Sequence, residues 1–236
     1  MSLIIAVYVP TGIALSGDSR TTGTLTQPPA PATNPPASSP NTVVTNVVIS
    51  DAAEKIFLIH GRFGVGTFGD AVVNNMPIAH YVQEFSAAHP SALSHTPRSV
   101  AADILAYFRA LAPTPNSGFV VAGYDASVPF VLHVDVQNNA VNHVNVVSGT
   151  TQLQYGIVRG GDTAVVDRLL SQQQFNPLFN VMNIQDAVDF SRHLIRSTID
   201  QLRFEPRFAT VGGPIDTLIV SPTGARFLSQ KTLACT

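Results

Sequence analysis

The stretch Glu54-Lys55-Ile56-Phe57-Leu58-Ile59-His60-Gly61-Arg62-Phe63-Gly64-Val65-Gly66-Thr67-Phe68-Gly69-Asp70-Ala71 decides how this chain is read. An apolar run at 55–59, a turn at Gly61 and a second run at 63–67 predict two short strands. Beyond Gly69, residues Ala71, Val72, Met76, Ala79, Val82 and Phe85 recur on one helical face, which predicts a helix over 70–85. Lys55 is one of two lysines, against eleven arginines. The companion stretch opens the chain: Ser2-Leu3-Ile4-Ile5-Ala6-Val7-Tyr8, then Gly12-Ile13-Ala14-Leu15-Ser16-Gly17-Asp18-Ser19-Arg20. Its β-branched, apolar halves around Pro10-Thr11-Gly12 read as a hairpin, with Ser2 at the open end. The two stretches thus offer a near-terminal hydroxyl, an Asp after apolar residues, a Lys on an apolar strand and a Gly-rich turn.

The rest of the chain continues in blocks. Six prolines (28, 29, 31, 35, 36 and 40) mix with Ala, Asn, Ser and Thr over about 24–42. Such a segment reads as an extended, flexible insertion, either a plain surface loop or a flap over a neighbouring cleft. Strands are expected at 43–49, 119–123, 130–135, 140–147, 215–220 and 226–228. Helices are expected at 97–111, with Thr96 as N-cap and Pro97 in the first turn, at 162–170, and at 183–202, capped by Asn183 or Asp186. Strands, two helices, strands, two helices and strands place sheets in the middle and helices outside, an α+β arrangement of αββα type.

Composition bounds the partners. Of 236 residues 45% are hydrophobic and 12% charged, about half the usual charged fraction. A surface this poor in charge points to burial against other subunits, as interface cores are depleted of charge. The net charge of −2, with no basic stripe, excludes the usual signature of nucleic-acid binding. The lone cysteine, Cys235, permits no internal disulfide, and the seven histidines show no metal-ligand spacing, so no metal and no cofactor are expected. The run at 3–9 has no basic leader and meets Pro10 early, which suits neither a signal peptide nor a membrane span; a cytoplasmic location without membrane contact is the expectation. Gly64-Val65-Gly66-Thr67-Phe68-Gly69 matches a dinucleotide fingerprint only superficially, since no βαβ unit or later acidic residue accompanies it.

The blocks together resemble the β-type subunits of the proteasome and their bacterial relatives, which are N-terminal-nucleophile (Ntn) hydrolases. Asp18 lies sixteen positions after Ser2, as the family's Asp follows its N-terminal Thr, and Asp18-Ser19-Arg20-Thr21-Thr22-Gly23 matches the family's Asp-Ser-Arg-Ala-Thr-x-Gly run. Gly69 lies fourteen positions after Lys55, the family interval from Lys to oxyanion Gly. Gly212-Gly213-Pro214-Ile215-Asp216-Thr217-Leu218-Ile219-Val220 and the Ser221-Pro222-Thr223-Gly224 turn extend the likeness over nearly the whole chain.

The resemblance implies one domain over 1–236, a four-layer αββα sandwich and a proteolytic site. Ser2 would be the nucleophile once Met1 is removed, its own α-amine (reference pKa about 7.7–8.0) the base. Lys55 would stabilise the developing alkoxide, Asp18 would hold Lys55 charged and oriented, and the Gly69 N–H, with a helix behind it, would bind the oxyanion. Thr21 and Thr22 match the family's substrate-binding strand; Ala53, Phe57, Thr67 and Ala71 match its first specificity pocket, here small and mostly apolar, suited to a neutral residue. The implied substrate is a peptide or unfolded protein, the implied assembly a homo-oligomeric ring, and an ATP-dependent unfoldase is a compatible partner. The chain departs from the family in three supports of the amine: Arg159 replaces the Ser of Gly-Ser-Gly, and Phe208 and Val211 replace an Asp and a Ser. Asp162 or Glu205 could compensate. Three readings stay open: a ring-forming peptidase, a degenerate subunit that kept fold and assembly, and an Ntn amidohydrolase of small amides.

Overall fold

The computed structural model describes residues 2–27, 43–90, 95–171 and 176–231. Met1, most of the proline-rich insertion and Cys235 lie outside them. Two five-stranded sheets carry the fold. The first hairpin, β1 (Leu3–Val9) and β2 (Gly12–Gly17), forms as its sequence requires, and β1 is buried along its whole length. It joins β12 (Gly156–Gly161), β13 (Asp216–Ser221) and β14 (Gly224–Ser229) in the order β12-β1-β2-β13-β14. The second sheet takes β5 (Ile56–Ile59), β6 (Phe63–Gly69), β9 (Ser117–Asp125), β10 (Val128–Asp135) and β11 (Ala140–His143) in the order β11-β10-β9-β6-β5. Every pairing in both sheets is antiparallel. Among the described residues there are four helices: α1 (Ile78–Ala88), α2 (Pro97–Arg109), α3 (Ala164–Leu170) and α4 (Ile184–Leu202). The molecule is therefore α+β.

The period of two along β1 sorts its side chains between two cores. Ile4 and Ala6, with Ile13, Leu15, Leu218 and Val220, pack against Ile56, Val120, Ala122 and Val131 of the second sheet. Leu3, Ile5 and Val7 face the other way, onto Val166 of α3 and Val188, Leu194 and Ile195 of α4. The second sheet repeats the pattern, with Phe63, Val65, Phe119 and Leu132 under Val82 and Phe85 of α1 and Val100, Ile104 and Phe108 of α2. A strand with apolar residues at successive positions is thus accounted for by cover on both faces.

Several elements differ from the sequence expectation. The helix expected over 70–85 starts only at Ile78. Before it, β7 (Val72–Val73) and β8 (Met76–Pro77) form a small hairpin through Asn74 and Asn75, at φ 48° and 63°. Asn tolerates that left-handed pair, the geometry of a two-residue hairpin turn, and an apolar face at helical spacing hid it. Thr24 to Gln27, placed in the insertion by composition, belong to β3 (Thr21–Gln27), which pairs with β4 (Val43–Ser50). The strand expected at 140–147 stops at His143, because the Asn145 side chain takes the Val131 N–H (2.7 Å) and donates to Pro129 O (2.9 Å) in place of backbone. β12 carries Arg159 and three glycines, has no strong β-pattern and was not expected; its register with β1 forms it. The caps did hold. Thr96 accepts the Ser99 N–H, and Asn183 accepts those of Gln185 and Asp186, with Asp186 closing the capping box.

Candidate active site

Ser2 precedes β1 and is 3% exposed; its carbonyl accepts the Asp162 N–H at 2.7 Å, which extends the β1–β12 ladder by one rung. Across β1, the β2 ladder also runs one residue past the strand, through Asp18 N to Leu3 O (3.2 Å). This extension places the Asp18 carboxylate among converging donors. Leu3 N lies 2.8 Å from Oδ1; Gly212 N (3.0 Å) and Arg20 N (3.1 Å) reach Oδ2. Lys55 completes the set, its Nζ 2.7 Å from Asp18 Oδ1 and 2.6 Å from Arg20 O. Two bonds bring Lys55 to that position: Ala53 N to Ser19 O, and Thr67 N to Lys55 O, both 2.9 Å.

Asp18 and Lys55 are 1% and 3% exposed, so the ion pair is fully buried. Burial pushes the Lys55 ammonium below the ordinary lysine value, and the Asp18 charge and hydrogen bond oppose that shift. Two of its three N–H donors are used on Asp18 and Arg20 O, so one is left for a group in the adjoining space.

That space is a cavity of about 310 Å3. Ser2, Thr21, Ala53, Lys55, Thr67 and Ala71 line it, which brings together six of the ten residues singled out from the sequence. Ile49, Phe68, Val72, Ile78 and Ala79 make the remainder mainly apolar, and Glu54 and Asp70 add carboxylates. Asp18 stands behind Lys55. The other three expectations are not met. Phe57 does not line the cavity; two positions beyond Lys55 it shares that residue's face of the strand but lies further in, packed among Ile59, Val65 and the residues under α1 and α2. Thr22 alternates away, and lines a second cavity of about 410 Å3 with Asn46, Arg207, Phe208 and Thr210. Gly69 sits between two lining residues without being one itself, and no helix starts behind it. Its φ of +99° and the closeness of Asn116 O to any added Cβ require glycine there for the backbone path.

The three departures from the family pattern have definite surroundings. Arg159 forms an ion pair with Asp167 of α3, Phe208 lines the second cavity, and Val211 is buried in the core under α4. Around them stands a polar cluster that sequence reading reached only in part. The Asp162 carboxylate accepts Thr210 Oγ1 and Arg207 Nη1, and Glu205 bridges Arg207 and Arg168. Arg207 and Arg168 hold the Glu205 carboxyl at about 2, and the Asp162 carboxyl is also held below its ordinary value, by Arg207 and Thr210 against the effect of burial. A second lysine was missed altogether. Lys231 binds Asp216 through both its backbone N–H (2.7 Å) and its ammonium, which also reaches Ser19 Oγ at 3.0 Å. Its signal was rarity: both lysines of the chain end in ion pairs beside the Asp18-Ser19 segment.

Among the described residues no helix is long and apolar enough to cross a membrane. No family model matches the chain, and no curated protein matches it either.

Proposed function

We propose that this chain is a proteasome-like Ntn hydrolase subunit that cleaves peptide bonds, built as a four-layer αββα sandwich. The observation that carries the reading is the juxtaposition of Ser2 with the buried Lys55–Asp18 pair at the head of one mainly apolar cavity. A lysine held this way is expensive to bury, and only a nearby negative charge, permanent or developing, offsets that cost. In the reaction, the Ser2 α-amine, freed by loss of Met1, takes the Oγ proton as Oγ attacks the substrate carbonyl carbon. Lys55 stabilises the negative charge that develops on the reacting oxygens. The amine returns the proton to the leaving nitrogen, and water then hydrolyses the Ser2 ester. A pocket lined by Ile49, Ala53, Ala71, Val72 and Ile78 suits an apolar residue on the acyl side, while Glu54 and Asp70 disfavour an acidic one. Peptide or unfolded protein, a homo-oligomeric ring and an ATP-dependent unfoldase belong to the same proposal.

The second reading, a degenerate subunit, is favoured by one observation: Arg159 is committed to Asp167, and Val211 to an apolar core, so neither position supports an amine. Intact mass with epoxyketone labelling separates the two. An epoxyketone needs both the hydroxyl and the free amine. For the hydrolase, the purified protein lacks Met1 and gains one adduct, lost in Ser2→Ala. Retained Met1 with no adduct between pH 6 and 9 rejects it.

A further inference from the structure

We infer that Asp162 is the positioning residue of the Ser2 α-amine, the anionic partner that replaces the polar supports missing at Arg159, Phe208 and Val211. The inference rests on the hydrolase reading for its use, though not for its measurement. Three observations carry it. The Asp162 N–H to Ser2 O bond of 2.7 Å sets the two residues face to face, and a Cβ at Gly161 would collide with that same Ser2 carbonyl, so the approach is as close as backbones allow. The Asp162 residue is 7% exposed, so its charge acts through protein and not through bulk water. Finally, its carboxylate is held in one orientation by Thr210 Oγ1 and Arg207 Nη1, both on Oδ2. A carboxylate offers about four acceptor sites, so these two, both on Oδ2, leave Oδ1 for an ammonium.

The other charged groups packed around the start of β1 are already committed. Asp18 is saturated by Lys55 and three backbone N–H groups, Arg159 is paired with Asp167, Glu205 is shared by Arg207 and Arg168, and in the cavity Glu54 accepts Gln83 Nε2 and Asp70 the Asn116 N–H. Among the described residues Arg207 is the one cation paired with Asp162, and it moderates its field. The predicted consequences have opposite signs. A carboxylate beside the amine favours its protonated form. Asp162→Asn keeps an acceptor for Thr210 but removes the charge, and therefore lowers the amine's pKa. Arg207→Gln strengthens the uncompensated charge and raises it.

The test uses Met1-free protein with serine 13C-labelled, following the pH titration of the Ser2 Cα resonance, and in parallel the pH dependence of epoxyketone labelling. Relative to the wild type, Asp162→Asn moves the titration midpoint, and the rising limb of labelling, down by about one pH unit. Arg207→Gln moves both up. Midpoints unchanged in both variants overturn the inference; if Asp162→Asn does not fold, an unchanged midpoint in Arg207→Gln does so alone. Failure of the hydrolase reading is distinguishable: wild-type protein then takes no label, while its amine titration still responds to the two substitutions.

Discussion

Asp18 collects three backbone N–H groups and one ammonium on two oxygens, and this saturation is what lets a lysine sit 3% exposed beside a serine. Removing one member of such a pair leaves an uncompensated buried charge. Lys55→Met and Asp18→Asn are each expected to lower unfolding free energy by roughly 3–5 kcal/mol, read from urea denaturation of the assembled protein. The double variant should lose clearly less than the two single losses combined, because neither charge then remains. A loss under about 1 kcal/mol in both single variants would show that the pair is solvated and would remove the physical basis of the site. Ser2, Asp18 and Lys55 were legible because they stand in two short stretches, Ser2 and Asp18 at a fixed interval. Asp162 was legible only as one of two candidates, and Lys231 not at all, because what gives them meaning is remote: Thr210 is 48 positions from Asp162, and Ser19 is 212 from Lys231. Phe57 failed because the face it shares with Lys55 is covered further in by α1 and α2, and Thr22 for a simpler reason. One step along a strand reverses the face, and a list of positions carries no face.

At the scale of elements, the reliable signals were those with a backbone mechanism. Thr96-Pro97 and Asn183 marked helix starts because their side chains or ring satisfy the first turn. The signals that misled were compositional. Apolar spacing over 71–85 concealed the Asn74-Asn75 hairpin, and the glycines and Arg159 of β12 concealed a strand whose pairing is dictated by β1. The insertion shows the same limit at its border. Thr24 to Gln27 look like linker, but rung by rung they pair with β4, down to Gln27 opposite Val43. That last rung gives a prediction. Replacing residues 28–42 with Asn-Gly should close the hairpin through a two-residue turn and keep the Thr21 side on the cavity. Loop closure grows slowly with length, at about 0.6 kcal/mol per doubling, so the gain is at most about 2 kcal/mol and the melting temperature should rise by a few degrees or stay level. A fall of ten degrees or more, measured by calorimetry, would mean that the segment contributes packing.

The whole molecule is short of charge and long on exposed apolar groups. Charged residues are 12% of the chain. Leu25, Val44 and Ile49 on the β3–β4 hairpin, Leu178 and Val181 ahead of α4, and Phe204 after it, 81% exposed, all present apolar side chains to solvent. A two-stranded ribbon with such side chains is marginal by itself and gains from cover, and several separate patches fit the two or more contacts that a ring subunit makes with its neighbours. We therefore expect the protein to run as one closed homo-oligomer, with a mass by multi-angle light scattering that is a whole multiple of 25.1 kDa and constant over a tenfold dilution in the micromolar range. If these apolar patches are the contacts, raising sodium chloride from 0.15 to about 0.5 M should leave that mass unchanged, whereas an assembly held by surface ion pairs would loosen as screening shortens. Ser2→Ala should give the same mass, since Ser2 faces the cavity and not these patches. A monomer at micromolar concentration and moderate salt would break the argument at its first step: the low charge would then reflect only a surface of Asn, Gln, Ser and Thr, and the proposed ring would fall with it.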